Sequence, residues 1–344
     1  MLYHNVLPAF AASVLATAAF ADAPRVVTDI GPIHGLVAGV MDGVGEPFNV
    51  LPVGADPHDH ALRPSEGRAL QDAQVVFRTG SAMAPWLDRP LENLAGGATV
   101  VSLLEVEGID LIERSEEGDH DDHAEHDEHA ADDHAHDHAE HDHDDHDHAE
   151  EAAADHEDHE DHDGHDHAHD HGGIDPHAWL DPAIATTWVG TIAATLSDVD
   201  PANAQAYRAN ADALIADIAA ARDEVAAMLA DVPSRTYLAG HDAYGYLDRT
   251  FGLEPLGAVT DVHGEAPTPG HLSDLLERAR AADLRCVLRE PGETGALDTV
   301  IDGLSPTVVE LDAAGSALEP GPGFYPALLR HVGSTFAGCL GATG

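Results

Sequence analysis

Lysine is absent from the 344-residue chain; all 15 of its basic residues are arginine. Without an ε-amine there is no Schiff-base chemistry, and without Gly-Lys-Ser/Thr there is no P-loop for ATP. Basic charge is scarce altogether: 15 residues face 64 Asp plus Glu, for a formal charge of −49. That balance excludes generic binding to nucleic acid or anionic lipid, which needs cations to displace the counterions of phosphate. Cysteine is limited to Cys286 and Cys339, a pair that says little alone and reads as one disulfide if the protein is exported. Beyond the first 21 residues no apolar run approaches the 18 or so needed to cross a bilayer, so no membrane insertion is expected of the mature protein.

Residues 6–21 are small and apolar and end in Ala19-Phe20-Ala21, an A-x-A cleavage pattern. This predicts a signal peptide over 1–21 and a mature start near Asp22, although the segment before the apolar run carries only His4 in place of Lys or Arg.

Residues 116–171 are of a different kind. Their 56 positions hold 26 Asp/Glu, 18 His, ten Ala and two Gly, and nothing that builds a core, so a disordered acidic loop is expected. Solubility needs acids but not eighteen imidazoles, which bind Zn, Ni, Cu and Co well beside carboxylates. His120, His123, His126, His129, His134, His136, His138, His141, His143, His146, His148, His156, His159, His162, His165, His167, His169 and His171 therefore form a candidate auxiliary metal collector. Their alternating spacing suits many weak, interchangeable sites rather than one rigid one.

The remaining 267 residues suffice for two domains and still carry a charge of −23. Short apolar runs at 25–30, 48–51, 73–78 and 99–103 read as strands, with helices at 33–41, 64–70 and 85–94 between them. The pattern repeats with strands at 235–239, 255–259, 285–288 and 307–311 and helices at 271–281, 294–303 and 325–340. Alternation of this kind predicts α/β architecture with parallel sheets. Between the halves, Asp200-Pro201 reads as a helix start and Pro233 as its stop, and Tyr207, Ala211, Leu214, Ile218, Ala221, Val225 and Leu229 recur every three or four residues. The expectation is an α/β fold of two lobes, 22–198 and 234–344, joined by one long rigid helix within 199–233.

Nine histidines lie outside the loop, and three have distinctive settings. His58 lies in Gly54-Ala55-Asp56-Pro57-His58-Asp59, His177 in Asp175-Pro176-His177-Ala178-Trp179-Leu180, and His241 in His241-Asp242-Ala243-Tyr244-Gly245-Tyr246. His241 also ends a predicted strand, and ligands bind at the carboxyl ends of parallel strands in open α/β sheets. In order and together these motifs resemble the metal-binding solute receptors of zinc-uptake ABC transporters, the ZnuA-like proteins, over essentially the whole mature chain.

The resemblance implies a periplasmic, monomeric receptor with Zn2+ in the cleft between lobes, delivering it to a membrane permease driven by a separate ATPase. It implies His58, His177 and His241 as ligands, with Asp312 or water in the fourth position. Three imidazoles suit zinc, and a histidine rather than a carboxylate at 241 favours zinc over manganese. His60 stands where relatives carry tyrosine and is a possible auxiliary ligand. Asp59 and Asp242 are expected to orient imidazoles, Glu290 to line the cleft, and His34, His263, His271 and His331 to be surface or packing residues. Cys286 and Cys339 are alternatively soft metal ligands or a staple of the C-terminal lobe; export favours the staple, and the resemblance implies the same pairing. Two other readings compete: a periplasmic metal buffer or chaperone acting through its His-rich loop, and a zinc hydrolase, since three histidines with an open position also describe catalytic zinc.

Overall fold

Each short apolar run that reads as a strand in the sequence forms one in the computed structural model, which describes residues 23–114, 173–293 and 295–342. The expected signal peptide and His-rich loop lie outside the described residues. β1 (Val26–Thr28), β2 (Phe48–Asn49), β3 (Val75–Arg78) and β4 (Thr99–Ser102) form one sheet in the order β2-β1-β3-β4. β5 (Thr236–His241), β6 (Glu254–Thr260), β7 (Cys286–Arg289) and β8 (Thr307–Glu310) form a second in the order β6-β5-β7-β8. Every pairing within both sheets is parallel, and the two orders are the same when read from each half's first strand. β3, buried at all four positions, shows why such strands lack polar alternation: helices cover both faces.

In each sheet the chain moves from the first strand to one side and then crosses to the other, which opens a crevice beyond the first strand's carboxyl end. In the first sheet Asp29 stands there, fully buried. Its carboxylate accepts from Ile30 N at 2.9 Å and Thr79 N at 2.5 Å, bridging the ends of β1 and β3. In the second sheet His241, the last residue of β5, stands at the corresponding end.

The helices are α1 (Gly31–Val40), α2 (Pro64–Asp72), α3 (Asp88–Leu94), α4 (Pro182–Val199), α5 (Ala204–Ala230), α6 (Gly245–Phe251), α7 (Pro269–Ala281), α8 (Ala296–Ile301) and α9 (Phe324–Leu340). Two of them, α4 and α6, are absent from the sequence reading. The start of α4 was nevertheless legible: Asp181 caps it by accepting from Ala183 N at 2.8 Å, and Pro182 occupies the first turn. α5 has 27 residues, about 40 Å at 1.5 Å per residue, and lies within the expected 199–233. Asp200 does not cap it. The Asp200 carboxylate instead accepts from Tyr207 Oη at 2.9 Å and Asn203 Nδ2 at 2.7 Å, so the helix starts only at Ala204. The stripe from Tyr207 to Leu229 is buried at all seven positions read from the sequence.

α5 packs against α1 and α4 of the first half and α9 of the second. Close approach is possible because Gly39 of α1 leaves room for Leu214, and Gly333 of α9 leaves room for Val225. The main core therefore runs without a break from Val26 through Trp188 and Ile218 to Tyr237 and Phe336, and a smaller one lies under α7 and α8. Cys286 on β7 is disulfide-bonded to Cys339 on α9, Cα atoms 5.3 Å apart, which closes a long loop of the second half. Arg114 and Gly173, which bound the undescribed residues 115–172, lie side by side. Arg114 N donates to Gly173 O beside an antiparallel bridge between Glu113 and Ile174. No helix among the described residues is long and apolar enough to cross a membrane.

Candidate metal centre

A cavity of about 700 Å³ opens between the two sheets, lined by residues that end or follow strands: Leu51 after β2, His241 on β5, Thr260 on β6, Glu290 after β7 and Asp312 after β8. His58 and His177 enter it from irregular segments. Both follow Asp-Pro, and both are held the same way: the carboxylate two residues earlier accepts the histidine's own backbone N–H, Asp56 to His58 at 2.8 Å and Asp175 to His177 at 3.0 Å. This Asx turn, with proline setting the intervening φ, is the physical content of the Asp-Pro-His motif.

The three imidazoles converge. Ring centroids lie 5.5 Å apart for His58 and His177, 5.6 Å for His58 and His241, and 5.0 Å for His177 and His241. One nitrogen from each falls within 4.8 Å of the other two. His177 Nδ1 donates to Asp175 Oδ1 at 3.0 Å. His241 Nδ1 donates to Thr260 Oγ1 at 3.2 Å, whose own proton goes to Gly240 O. With both Nδ1 positions carrying hydrogen, both Nε2 atoms present lone pairs, and they face each other at 3.2 Å. Two acceptors at that distance repel unless a cation lies between them. Tetrahedral zinc with bonds of about 2.0–2.1 Å would set its nitrogens about 3.3 Å apart. His58 Nε2 is buried with no hydrogen-bond partner among the described residues.

The surroundings keep two of these rings, His58 and His241, neutral. Burial, then the nearness of His177, pushes His58 down to about 4. Burial with His177 and His58 pushes His241 down to about 3. Across the cavity, burial and the negative neighbours Asp312, Glu293 and Asp56 push Glu290 up to about 7. A Glu290 carboxyl crowded by other carboxylates, with two imidazoles held unprotonated, favours a cation.

The other expected site residues are placed as follows. Asp312 lines the cavity but is not one of the converging group; its oxygens accept from Ala314 N at 2.7 Å and Ser316 N at 2.6 Å. His60 does not join the triad. Its Nε2 lies 2.9 Å from Glu66 and its ring packs edge-on to Trp86, which makes it part of the α2 entrance. Of the carboxylates expected behind the imidazoles, Asp59 is exposed and Asp242 pairs with Arg114 at 3.0 Å. His34 lines the cavity beyond the triad, His263 packs edge-on to His58 at 6.3 Å, and His271 meets Ala258 O at 2.8 Å. The eighteen loop histidines lie outside the described residues.

Residues 26–339 match the family described as ZnuA, zinc-uptake complex component A, periplasmic. The chain belongs to the ZnuA family. High-affinity zinc uptake system protein ZnuA of Paracoccus denitrificans (strain Pd 1222) is 40% identical over 96% of this chain and 97% of the relative. The protein of that name in Brucella abortus (strain 2308) is 36% identical over 96% of each. A crystal structure of ZnuA superposes with a TM-score of 0.68 at 18% identity, covering 93% of this chain and all of the other. A ZnuA deletion mutant with zinc bound gives the same TM-score over 94% of this chain. At such identities the superpositions establish the fold. More distantly, the manganese-binding lipoprotein MntA of Halalkalibacterium halodurans is 22% identical over 92% of this chain. The family is one of solute-binding receptors rather than enzymes.

Within this ZnuA-family site the sequence reading passed over Asp175 as the carboxylate on an imidazole, and over Thr260 and Arg114 entirely. Asp175 was legible in the motif itself, because Asp two residues before His forms the turn that brings the same carboxylate to the ring. Thr260 and Arg114 carry no local signal; they reach the site through pairing of β5 with β6 and through the backbone pairing of Arg114 with Gly173. Trp179, fully buried, ties His177 to the second half by donating to Ala313 O at 2.9 Å.

Proposed function

We propose that the protein is a periplasmic receptor that takes one Zn2+ into the cleft at high affinity and delivers it to the permease of an ABC uptake transporter with a separate ATPase. His58, His177 and His241 hold the ion through nitrogen, and Asp312 or water completes the tetrahedron. The observation that carries this reading is the 3.2 Å approach of two imidazole nitrogens whose partner nitrogens are already committed as donors. The names of the relatives support zinc as the cargo of an uptake system. The Cys286–Cys339 disulfide supports an oxidising compartment.

Zinc is cargo here, so the protein's task is capture and release. The neutral imidazoles of His58 and His241 take the ion without first losing protons, and the acidic wall attracts it from solution. The unbroken core through α1, α4, α5 and α9 favours small lobe movement on release, with rearrangement confined to the segments around the ligands.

Competitive zinc titration of the mature chain, of a form lacking 116–171, and of that form with His177→Ala tests the proposal, followed by the fluorescence of Trp179, whose ring lies 5.2 Å from His177. One tight site survives the deletion and is lost with the substitution. Loss of tight binding on deletion alone replaces the receptor with a metal buffer.

A further inference from the structure

One half-buried charge behind the triad belongs to none of the motifs. Arg114, the last described residue before 115–172, reaches behind the site, and its Nη2 donates both to Asp175 Oδ2 at 3.1 Å and to Asp242 Oδ1 at 3.0 Å. Asp175 is fully buried and its other oxygen holds both the backbone N and Nδ1 of His177. Asp242 directly follows His241, and its N–H donates to Thr260 O at 3.1 Å, in the residue whose hydroxyl holds the His241 ring. One guanidinium nitrogen thus pins the supports of two imidazoles that come from opposite halves of the chain.

The seat for this arginine is built. At Gly245, the first residue of α6, an added Cβ would stand 2.8 Å from Arg114 Nη2 and 3.0 Å from Asp175 Oδ2. The backbone there is not left-handed, so glycine is present for the close passage of the ion pair and not for its own φ. Tyr246, the next residue, donates from Oη to Asp175 O at 2.8 Å and accepts from Ile112 N at 3.1 Å, holding the strap that carries Arg114 against α6. Arg114 Nε is buried with no partner among the described residues, so the two carboxylates are what hold the guanidinium's charge. Without that cation the two carboxylates repel across the position it leaves, and a buried, unpaired charge relaxes by moving.

We propose that Arg114, seated on Gly245, is a positioning residue that sets the spacing of His177 and His241 by clamping Asp175 to Asp242, and thereby slows release of the metal. The inference rests on the receptor reading above. Supports of this kind typically account for 10–100-fold in metal affinity.

Zinc release into excess chelator is timed in the full-length protein and in Arg114→Gln, Arg114→Lys and Gly245→Ala, with Co2+ absorption recorded for each and the melting temperature of each apo form. Arg114→Gln and Gly245→Ala are expected to release zinc about 10-fold faster or more and to alter the cobalt ligand-field bands. Arg114→Lys, which keeps the cation, recovers part of the rate. Gly245→Ala displaces the ion pair while keeping both of its charges, so the cobalt bands, and not the apo melting temperature, read position in that variant. Parental release rates with unchanged cobalt bands in both altered forms overturn the inference. So does faster release that tracks a lower apo melting temperature while the cobalt bands stay constant. If the parent itself takes up neither Zn2+ nor Co2+, the receptor reading is what falls.

Discussion

At the scale of single residues, the site is a set of hydrogen-bond commitments. Asp175 and Thr260 fix which nitrogen of His177 and His241 carries hydrogen, and the metal position follows as the place where the leftover lone pairs meet. A pH dependence follows from the depressed His58 and His241, at about 4 and about 3. In the unfolded chain both protonate near 6.5. Between about 6.5 and 4 the unfolded chain therefore binds more protons than the folded one, and the apo protein loses stability as pH falls through that window. Melting of the apo protein between pH 7.5 and 4.5 should show this fall, and His58→Asn with His241→Asn should flatten it; a slope that is the same in both proteins contradicts the assignment. The same displacement keeps His58 and His241 unprotonated at pH 5.5, where imidazoles near the reference value are mostly protonated.

At the scale of elements, the strands were legible because buried parallel strands are short, uniformly apolar runs bounded by turn residues, as in Val75–Arg78. The seven-residue stripe of α5 was legible because one face of a long helix repeats its apolar positions regularly. α6 was not, since seven residues give too few turns for a period to emerge, and Gly245 reads locally as a break. The start of α5 was misjudged because Asp200-Pro201 has the chemistry of a cap, while Tyr207, one helical turn into the chain, takes the carboxylate. The triad itself was visible as three motifs, but Arg114 and Thr260 required tertiary structure, since nothing near them in the chain signals a partner so far away. Packing between elements is close where α9 crosses α5. A Cβ at Gly333 would stand 2.5 Å and 2.6 Å from the two methyls of Val225, a β-branched side chain that cannot swing aside. Gly333→Ala should cost about 1–3 kcal/mol despite alanine's better helix propensity, read as a lower urea midpoint with unchanged slope. An unchanged or higher midpoint shows that the helices separate freely.

At the scale of the molecule, the repeated strand order makes two lobes, and the helices at their backs make them one body. Lobes that share a core through α1, α4, α5 and α9 cannot hinge widely without exposing it. Small-angle scattering of the 116–171 deletion, apo and zinc-loaded, is expected to give radii of gyration that agree within about 1 Å, well short of a domain closure. A larger contraction on loading contradicts a shared core that limits movement.

The paired backbones of Arg114 and Gly173 carry a practical consequence. Their neighbourhood in space makes this point of the chain a socket: a folded guest whose own ends lie side by side can be spliced in without stretching the host. Because Arg114 also grips the carboxylate behind His177, strain at the splice is mechanically connected to the ion's seat. A circularly permuted fluorophore inserted there turns a transport protein into an optical gauge of its cargo.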